Sequence, residues 1–474
     1  MNNMINKQMF TLVMAVAMLV AGCSSMGPRY NKPAVEVPAA WSTVSATGAE
    51  VRNTQWWTVY ADRVLDQLIA EALANNANLS LAAARVDEAR AALKFAAAEE
   101  TPGARINLDN SRSRISQRGS QPSPAGSDPV RNDFRATLDV SYELDLWGRL
   151  RSATQAARAD LLASEAARST VRIALTSDVA QGYFALRALD EQIAVTRRSL
   201  ASRSESLAIQ RKRVEFGLLS DYELRQRESE VAAARAQLPA LERARSRQEN
   251  ALAVLLGRSP RAIYEGGVDA GSDGGNVAAA VVVPSDMPSE LLLRRPDLVE
   301  TEQRLIAANA RIGVARAYYF PAISLSGYLG SESTALSSLF SGPAMIWRFA
   351  AALSQPLWVS GRIESQVEVA TARQQQALSQ YQGAIQNAFR EVRDALVAQV
   401  KARDQLDAET QRVTALRETL RLARLRYENG LVSQLDVLDA ERGLLAAEQN
   451  RIDALRAQRT AIADLFKALG GGWT

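Results

Sequence analysis

The chain has no histidine, and Cys23 is the only cysteine among its 474 residues. Without imidazole there is no side chain that titrates near neutrality unaided, no Ser-His-Asp relay, and no supply of the commonest zinc ligand. No glycine run followed by Lys-Ser or Lys-Thr occurs, so no phosphate-cradling loop marks a nucleotide site. Neither sign of charge is in excess. The 56 Lys and Arg stand against 52 Asp and Glu, a net +4, and the arginines are interspersed with acids. That balance argues against nucleic acid as the partner. Proline is sparse, at 15 residues, and long stretches lack any breaker. What is abundant is Ala, Arg, Glu, Gln and Leu, a composition that favours long helices. The absences leave only carboxylate or metal-assisted chemistry open to an enzyme, imply no cofactor, and point to a non-catalytic protein.

The amino terminus carries a specific signal. Lys7 precedes the apolar run MFTLVMAVAMLVAG, which has signal-peptide length and is too short to span a bilayer comfortably. The run ends in Leu19-Val20-Ala21-Gly22-Cys23, which resembles a bacterial lipobox. The resemblance implies cleavage before Cys23 and acylation of that residue, which anchors by burying methylenes. Ser24 occupies the place where an Asp would resemble an inner-membrane retention signal, so the outer membrane is the expected destination. The Pro-rich MGPRYNKPAVEVPAAW that follows reads as an extended lead draped over the surface.

A helical pattern begins near Asp62 and is stopped by Thr101-Pro102-Gly103. From Phe134 to Leu146 every even position is apolar and every odd one is polar or charged, the period of a strand with two unlike faces. A partner strand begins near Ala104, and a Ser/Pro/Gly/Asp-rich loop joins the two. Beyond Trp147-Gly148-Arg149 the helical pattern runs to Gly217. Val179, Leu186, Ile193, Leu200, Leu207 and Val214 recur at every seventh residue. Such a stripe implies supercoiled packing against neighbouring helices. At 1.5 Å per residue, a helix of roughly 65 residues is on the order of 100 Å long. A second helix returns from about Leu218 to Leu256 and stops at Gly257.

The pattern then repeats 213 residues later. Gly148-Arg149 recurs as Gly361-Arg362, Gly217 as Gly430, and Leu256-Gly257 as Leu469-Gly470. The seventh-residue stripe recurs as Val392, Gln399, Leu406, Val413, Leu420 and Tyr427. A second hairpin uses Ile323, Leu325 and Leu329, then Trp347, Phe349, Ala351 and Leu353, with Trp347 and Trp358 flanking its strand. The chain is an internal tandem duplication of helix, hairpin, long helix and return helix. The expected organisation is a lipoprotein signal peptide over 1–22, an extended lead over 23–60, a first repeat over 61–257, a linker over 258–288, a second repeat over 289–470 and a tail over 471–474. Trp56-Trp57 reads as packing, and Arg294-Arg295-Pro296 as a helix start.

Four amphipathic strands cannot close a barrel. In lipid no strand edge survives unpaired, and membrane barrels begin at about eight strands. Closure requires an oligomer: two chains give about eight strands, three give about twelve, and an interior wide enough for solutes favours the larger.

The lipobox, GPRYNKP, QWWTVYADRVLDQLIAEALANN, LDLWGRL, RRPDLVETEQRLIAANARIG, FPAISLS, the repeated G-L-L/V-S turn and the terminal ALGGGW follow one another in this order. Together they resemble the outer membrane factors, the TolC-like channels of Gram-negative efflux and secretion systems. Within these they are most similar to the lipoprotein channels paired with RND pumps, and the resemblance covers essentially the whole mature chain. It implies a mixed α and β fold: a trimeric transmembrane β-barrel, four strands per chain, continued by a long α-helical coiled-coil tunnel across the periplasm. It further implies a homotrimer in outer membrane lipid, a periplasmic membrane-fusion adaptor and an inner-membrane RND transporter as partners. The expected function is that of a passive exit duct for small toxic compounds.

Tyr427, Gly430, Asp436 and Asp439 match the spacing that the family carries at the constricted periplasmic aperture. Asp436 and Asp439 resemble its carboxylate rings, Tyr427 a residue of the links that hold it shut, and Glu223 the acidic link partner in the first copy. Val432 stands where TolC has an Arg in those links, so the closing network must differ. Like charges brought close by threefold symmetry raise each other's pKa, attract cations and can bind a divalent metal. Gly217, Leu218, Ser220, Gly430, Leu431 and Ser433 are the expected adaptor-contacting tips. Three other readings compete with this one. They are a channel for type I secretion or an ABC exporter, a periplasmic coiled-coil lipoprotein without lipid-embedded strands, and an enzyme using Asp436 and Asp439. The last is the weakest, because the same turn recurs at Gly217 without a matching acid pair.

Overall fold

The computed structural model describes residues 26–36, 55–116, 118–120, 126, 128–218, 220–268 and 294–472. The expected signal peptide, Cys23 and most of the expected linker lie outside the described residues. In chain order the elements are a 3-10 turn (Trp56–Tyr60), α1 (Arg63–Asn75), α2 (Ala77–Ala98), β1 (Gly103–Arg114), β2 (Val130–Leu144), α3 (Arg149–Glu215), α4 (Asp221–Leu255) and the short α5 (Pro260–Glu265). After these come α6 (Pro296–Ala317), β3 (Ala322–Ser333), β4 (Met345–Ser354), α7 (Arg362–Glu428) and α8 (Gln434–Ala468). The 67-residue α3 and α7 match each other in length, as do the 35-residue α4 and α8. The fold is therefore mixed α and β, with the duplication visible in the lengths of its helices.

The chain divides into two compact units. One comprises Met1–Ala34, Val86–Ser164 and Thr301–Tyr381; the other comprises Val35–Arg85, Glu165–Glu300 and Gln382–Thr474. The first holds the sheet, four antiparallel strands in the order β1-β2-β3-β4, with β1 and β4 as open edges. Cross-strand register aligns Ile106, Leu138, Leu329 and Trp347 on one face and Arg105, Asp139, Tyr328 and Arg348 on the other. The apolar face is uncovered within the chain: Ile106, Leu108, Leu329, Trp347, Phe349 and Leu353 are all exposed. Trp347 lies inside β4 instead of flanking it. The alternation of β2 ends at Leu144, two residues before the sequence pattern does. Asp145 leaves the ladder because its carboxylate accepts the free amides of Leu150 (3.1 Å) and Arg151 (2.9 Å) at the start of α3.

Where the sequence suggests an extended lead draped over the surface, its described stretch 26–36 is tied to the chain by specific bonds. Met26 N donates to Trp147 O at 3.3 Å, Asn309 Nδ2 to Pro28 O at 2.7 Å, and Lys32 Nζ reaches Glu302 at 2.8 Å. A chain carrying unpaired backbone carbonyls gains by handing them to side-chain donors on α6. Elsewhere in this unit, Arg311 of α6 pairs with Asp160 of α3, and Ile312 and Ala315 pack against Ala370 and Val367 of α7.

The second unit has an aromatic core. Trp56 stacks on Phe466 with centroids 5.2 Å apart, and its indole N–H reaches Thr176 Oγ1 at 3.3 Å. Tyr183 Oη donates to Asp62 at 2.7 Å, and Asp62 in turn caps α1 through the amides of Val64 and Leu65. The single helix expected from Asp62 onward is two. Asn76 interrupts it and caps α2, its Oδ1 accepting from Asn78 N and Leu79 N. Arg295 does more than mark a helix start: buried, it pairs with Asp297 and Glu391 and donates to Ala468 O at 2.8 Å. In the first stripe Val179, Leu186, Ile193 and Leu207 are buried. In the second only Val392 and Val413 are, and α7 leaves Val397, Val400, Leu422 and Leu425 exposed.

Candidate functional site: the twin hairpin tips

The α3–α4 and α7–α8 connections are built alike. Gly217 and Gly430 both adopt φ of 69°, the left-handed region that suits glycine. Leu218 N donates to Arg213 O (2.8 Å) and Gly217 N to Val214 O (2.9 Å); Leu431 N donates to Arg426 O (2.9 Å) and Gly430 N to Tyr427 O (3.0 Å). Both ends are Schellman caps, in which the turn amides satisfy the last helical carbonyls. The same cap recurs at Gly257 and Gly470. Around the tips Phe216, Leu218, Tyr222, Leu431 and Leu435 are exposed, an apolar cluster of the kind that marks an interaction site.

Each return helix starts with a capping box. Ser220 Oγ accepts from Glu223 N, while Glu223 Oε2 accepts from Ser220 N at 3.2 Å. Asp436 Oδ2 likewise accepts from Ser433 N (2.9 Å) and Oγ (2.6 Å). Both acids sit at N3, where a carboxylate meets the orphan amides and the positive end of the helix dipole. The Ser433 bonds hold the Asp436 carboxyl below the usual carboxylate range. Within one chain this is opposite to the upward shift that crowding around a threefold axis would bring. Asp439 is exposed and, among the described residues, its carboxylate makes no hydrogen bond. Among the described residues no hydrogen bond or ion pair links Asp436, Asp439, Tyr427 and Glu223 to one another. Instead Tyr427 Oη accepts from Gln210 at 3.5 Å, and the Glu223 carbonyl accepts from Gln434 Nε2 at 3.0 Å.

What joins the two hairpins is a set of ion clusters that sequence reasoning did not find. Glu230 of α4 takes Arg203 of α3 on one oxygen (2.9 Å) and Arg442 of α8 on the other. Glu441 of α8 takes Arg227 of α4 (3.0 Å) and Arg424 of α7 (3.0 Å). In each cluster one carboxylate lies between a buried and an exposed guanidinium: Arg203 is 6 % and Arg442 52 % exposed, Arg227 4 % and Arg424 45 %. The arginine bonds hold the Glu230 carboxyl below its ordinary value against the opposing effect of burial. A signal was present in the sequence. Arg227/Glu441, Glu230/Arg442 and Gln237/Gln449 are all offset by within a residue of the 213-residue repeat, so the return helices α4 and α8 lie side by side and parallel. Opposite charges at that offset mark the contact.

The family model described as outer membrane efflux protein matches residues 68–258 and 287–471, one span in each repeat. The chain belongs to the outer membrane efflux protein family. It is 34 % identical to the probable outer membrane lipoprotein SilC of Salmonella typhimurium, with 98 % of each chain covered. It is also 34 % identical to the toluene efflux pump outer membrane protein TtgC of Pseudomonas putida, with 98 % of this chain and 95 % of that one covered. A crystal structure of CusC, in work on its folding and transmembrane channel formation, superposes with a TM-score of 0.83 at 34 % identity, covering 95 % of this chain and all of that one. The protein is thus an efflux channel of the Gram-negative outer membrane. In this channel the Arg–Glu clusters lie between the two helical hairpins. They tie α4 to α8, and so one hairpin to the other.

Proposed function

We propose that three copies of the chain form a passive exit duct, closed as a β-barrel in the outer membrane and continued by the helices through the periplasm. An inner-membrane RND transporter drives it through a periplasmic membrane-fusion adaptor. The observation that carries this reading is the sheet: two open edges, one exposed apolar face and one polar face on the same four strands. In lipid the edges must pair, the apolar face must meet acyl chains, and the polar face is left to line water. The uncovered stripe of α7 supports the same oligomer, since a further helix buries Val397, Val400, Leu422 and Leu425. Among the described residues no helix is long and apolar enough to cross a membrane.

In this assembly Cys23 carries the acyl anchor, within three residues of the strapped Met26. Gly217, Leu218, Ser220, Gly430, Leu431 and Ser433 contact the adaptor, with the exposed Phe216 and Tyr222 adding apolar area. Asp436 and Asp439, repeated around the axis, make the aperture cation-preferring, while Tyr427 and Glu223 belong to the contacts that hold it closed. The Arg203–Glu230–Arg442 and Arg227–Glu441–Arg424 clusters set the resting position of the hairpins. The cargo is small toxic molecules, chosen largely by the pump.

In-cell crosslinking from the tip positions, followed by identification of the captured proteins, tests this. Recovery of an adaptor and an RND-type transporter is expected. An ABC-type transporter in its place points to an export or type I secretion duct, and capture of neither overturns the proposal.

A further inference from the structure

Two charged levels on the polar face of the sheet differ in character. One contains Asp109, Arg135 and Glu332 in register. There Arg135 pairs with Glu332 at 3.7 Å and covers the Tyr328 ring at 4.7 Å, so its charge is spent inside the chain. The other contains Arg105, Asp139, Tyr328 and Arg348, one residue from each strand. Here the single acid is committed to neutral donors: Asp139 Oδ2 accepts from Asn107 Nδ2 at 2.6 Å and from Thr137 Oγ1 at 2.8 Å. Among the described residues neither the Arg105 nor the Arg348 side chain has an ion pair or hydrogen bond within the chain. Both arginines, with Asn107, Asp139 and Tyr328, line one hollow of about 510 Å³.

We propose that this hollow is an oxyanion site, taking small organic anions that carry two or more carboxylate, phosphate or sulfonate groups on their way out. A guanidinium presents a planar pair of donors that matches such a group, and two of them at one level engage a polyanion better than either alone. Asp139 is the counterweight that keeps the site from holding its ligand too tightly, as conduction requires. The inference rests on the polar face lining the duct. Lipid headgroups offer the same chemistry, but the site lies on the face opposite Leu138, Leu329 and Trp347, so the solute side supplies the ligand.

The test is binding of 8-hydroxypyrene-1,3,6-trisulfonate to the purified full chain in detergent, read by fluorescence anisotropy at low salt. Arg105→Gln with Arg348→Gln weakens binding by about tenfold or more, as loss of charge-assisted contacts demands. Asp139→Asn strengthens it. Citrate displaces the dye, whereas phosphatidylglycerol liposomes do not. Equal affinity across these variants, displacement by the liposomes, or no binding by the unaltered protein overturns the site. Citrate added to a conducting bilayer should reduce the current of the unaltered channel and spare that of the arginine variant; equal reduction in both also overturns it. A protein that binds the dye as described but conducts nothing defeats the duct reading alone.

Discussion

Glu230→Ala removes the one carboxylate that Arg203 and Arg442 share. Arg442 is 52 % exposed and returns to water, so its share of the loss is about 0–1 kcal/mol. Arg203 cannot do the same. Its side chain is 6 % exposed, its Nε already lacks a partner, and only the Glu230 backbone carbonyl, at 3.3 Å, remains for Nη1. Stranding one member of a buried pair costs about 3–5 kcal/mol. A local loss of about 3–4 kcal/mol raises the population of opened tip by roughly 10²–10³, at tenfold for each 1.4 kcal/mol. Hydrogen-exchange mass spectrometry reads this directly. Peptides over residues 203–214, 221–235 and 434–445 should exchange faster by about that factor. Those over 63–75, tied into the aromatic core, should stay unchanged. Glu230→Gln keeps an acceptor and should fall in between. The sign with pH follows from the depressed Glu230 value: the cluster stabilises fully above the unfolded carboxyl's pKa of about 4.3 and loses its contribution as pH falls through the lower folded value. Exchange at the tips that stays within about threefold of the unaltered protein refutes the idea that these clusters hold the hairpins together.

Three further outcomes are expected. Asp436→Ala with Asp439→Ala should raise single-channel conductance and weaken cation preference; unchanged values remove these residues from the aperture. Leu329→Arg places a charge at mid-strand on the apolar face and should cost about 2–4 kcal/mol of membrane insertion, read as loss of heat-modifiable migration, whereas normal assembly contradicts a lipid-facing surface. Gly430→Val forces a β-branched residue to φ of 69° and should destabilise the α7–α8 tip by about 1–2 kcal/mol, seen as faster local exchange; an unaltered tip would mean that the turn readily adopts another geometry.

Much of this architecture is legible in the sequence, because it is written in periods. The alternation through Phe134–Leu144, the seventh-residue stripes and the 213-residue offset each report a regular element, and each reappears in the structure. Local punctuation was only partly legible. Gly217 and Gly430 declare themselves, and Ser259-Pro260 could have revealed the short α5 inside the expected linker, since Ser259 caps it and Pro260 starts it. Asn76 could likewise have divided α1 from α2. The site was harder to see. Asp436 and Glu223 stand out by their resemblance to the family's aperture and link acids, and in the structure each caps its own helix start, which is a local task. The clusters that join the hairpins use Arg203, Arg227, Arg424 and Arg442, four among the many arginines of the long helices. Nothing local distinguishes them until α4 and α8 are known to run side by side.

The central claim is that this chain, assembled with copies of itself, is a water-filled passage through the outer membrane. Purified full-length protein in a planar lipid bilayer tests it most directly. Discrete single-channel steps are expected, small in the unaltered protein and larger in Asp436→Ala with Asp439→Ala. A bilayer that stays silent for both proteins, with the protein demonstrably inserted, would contradict the account.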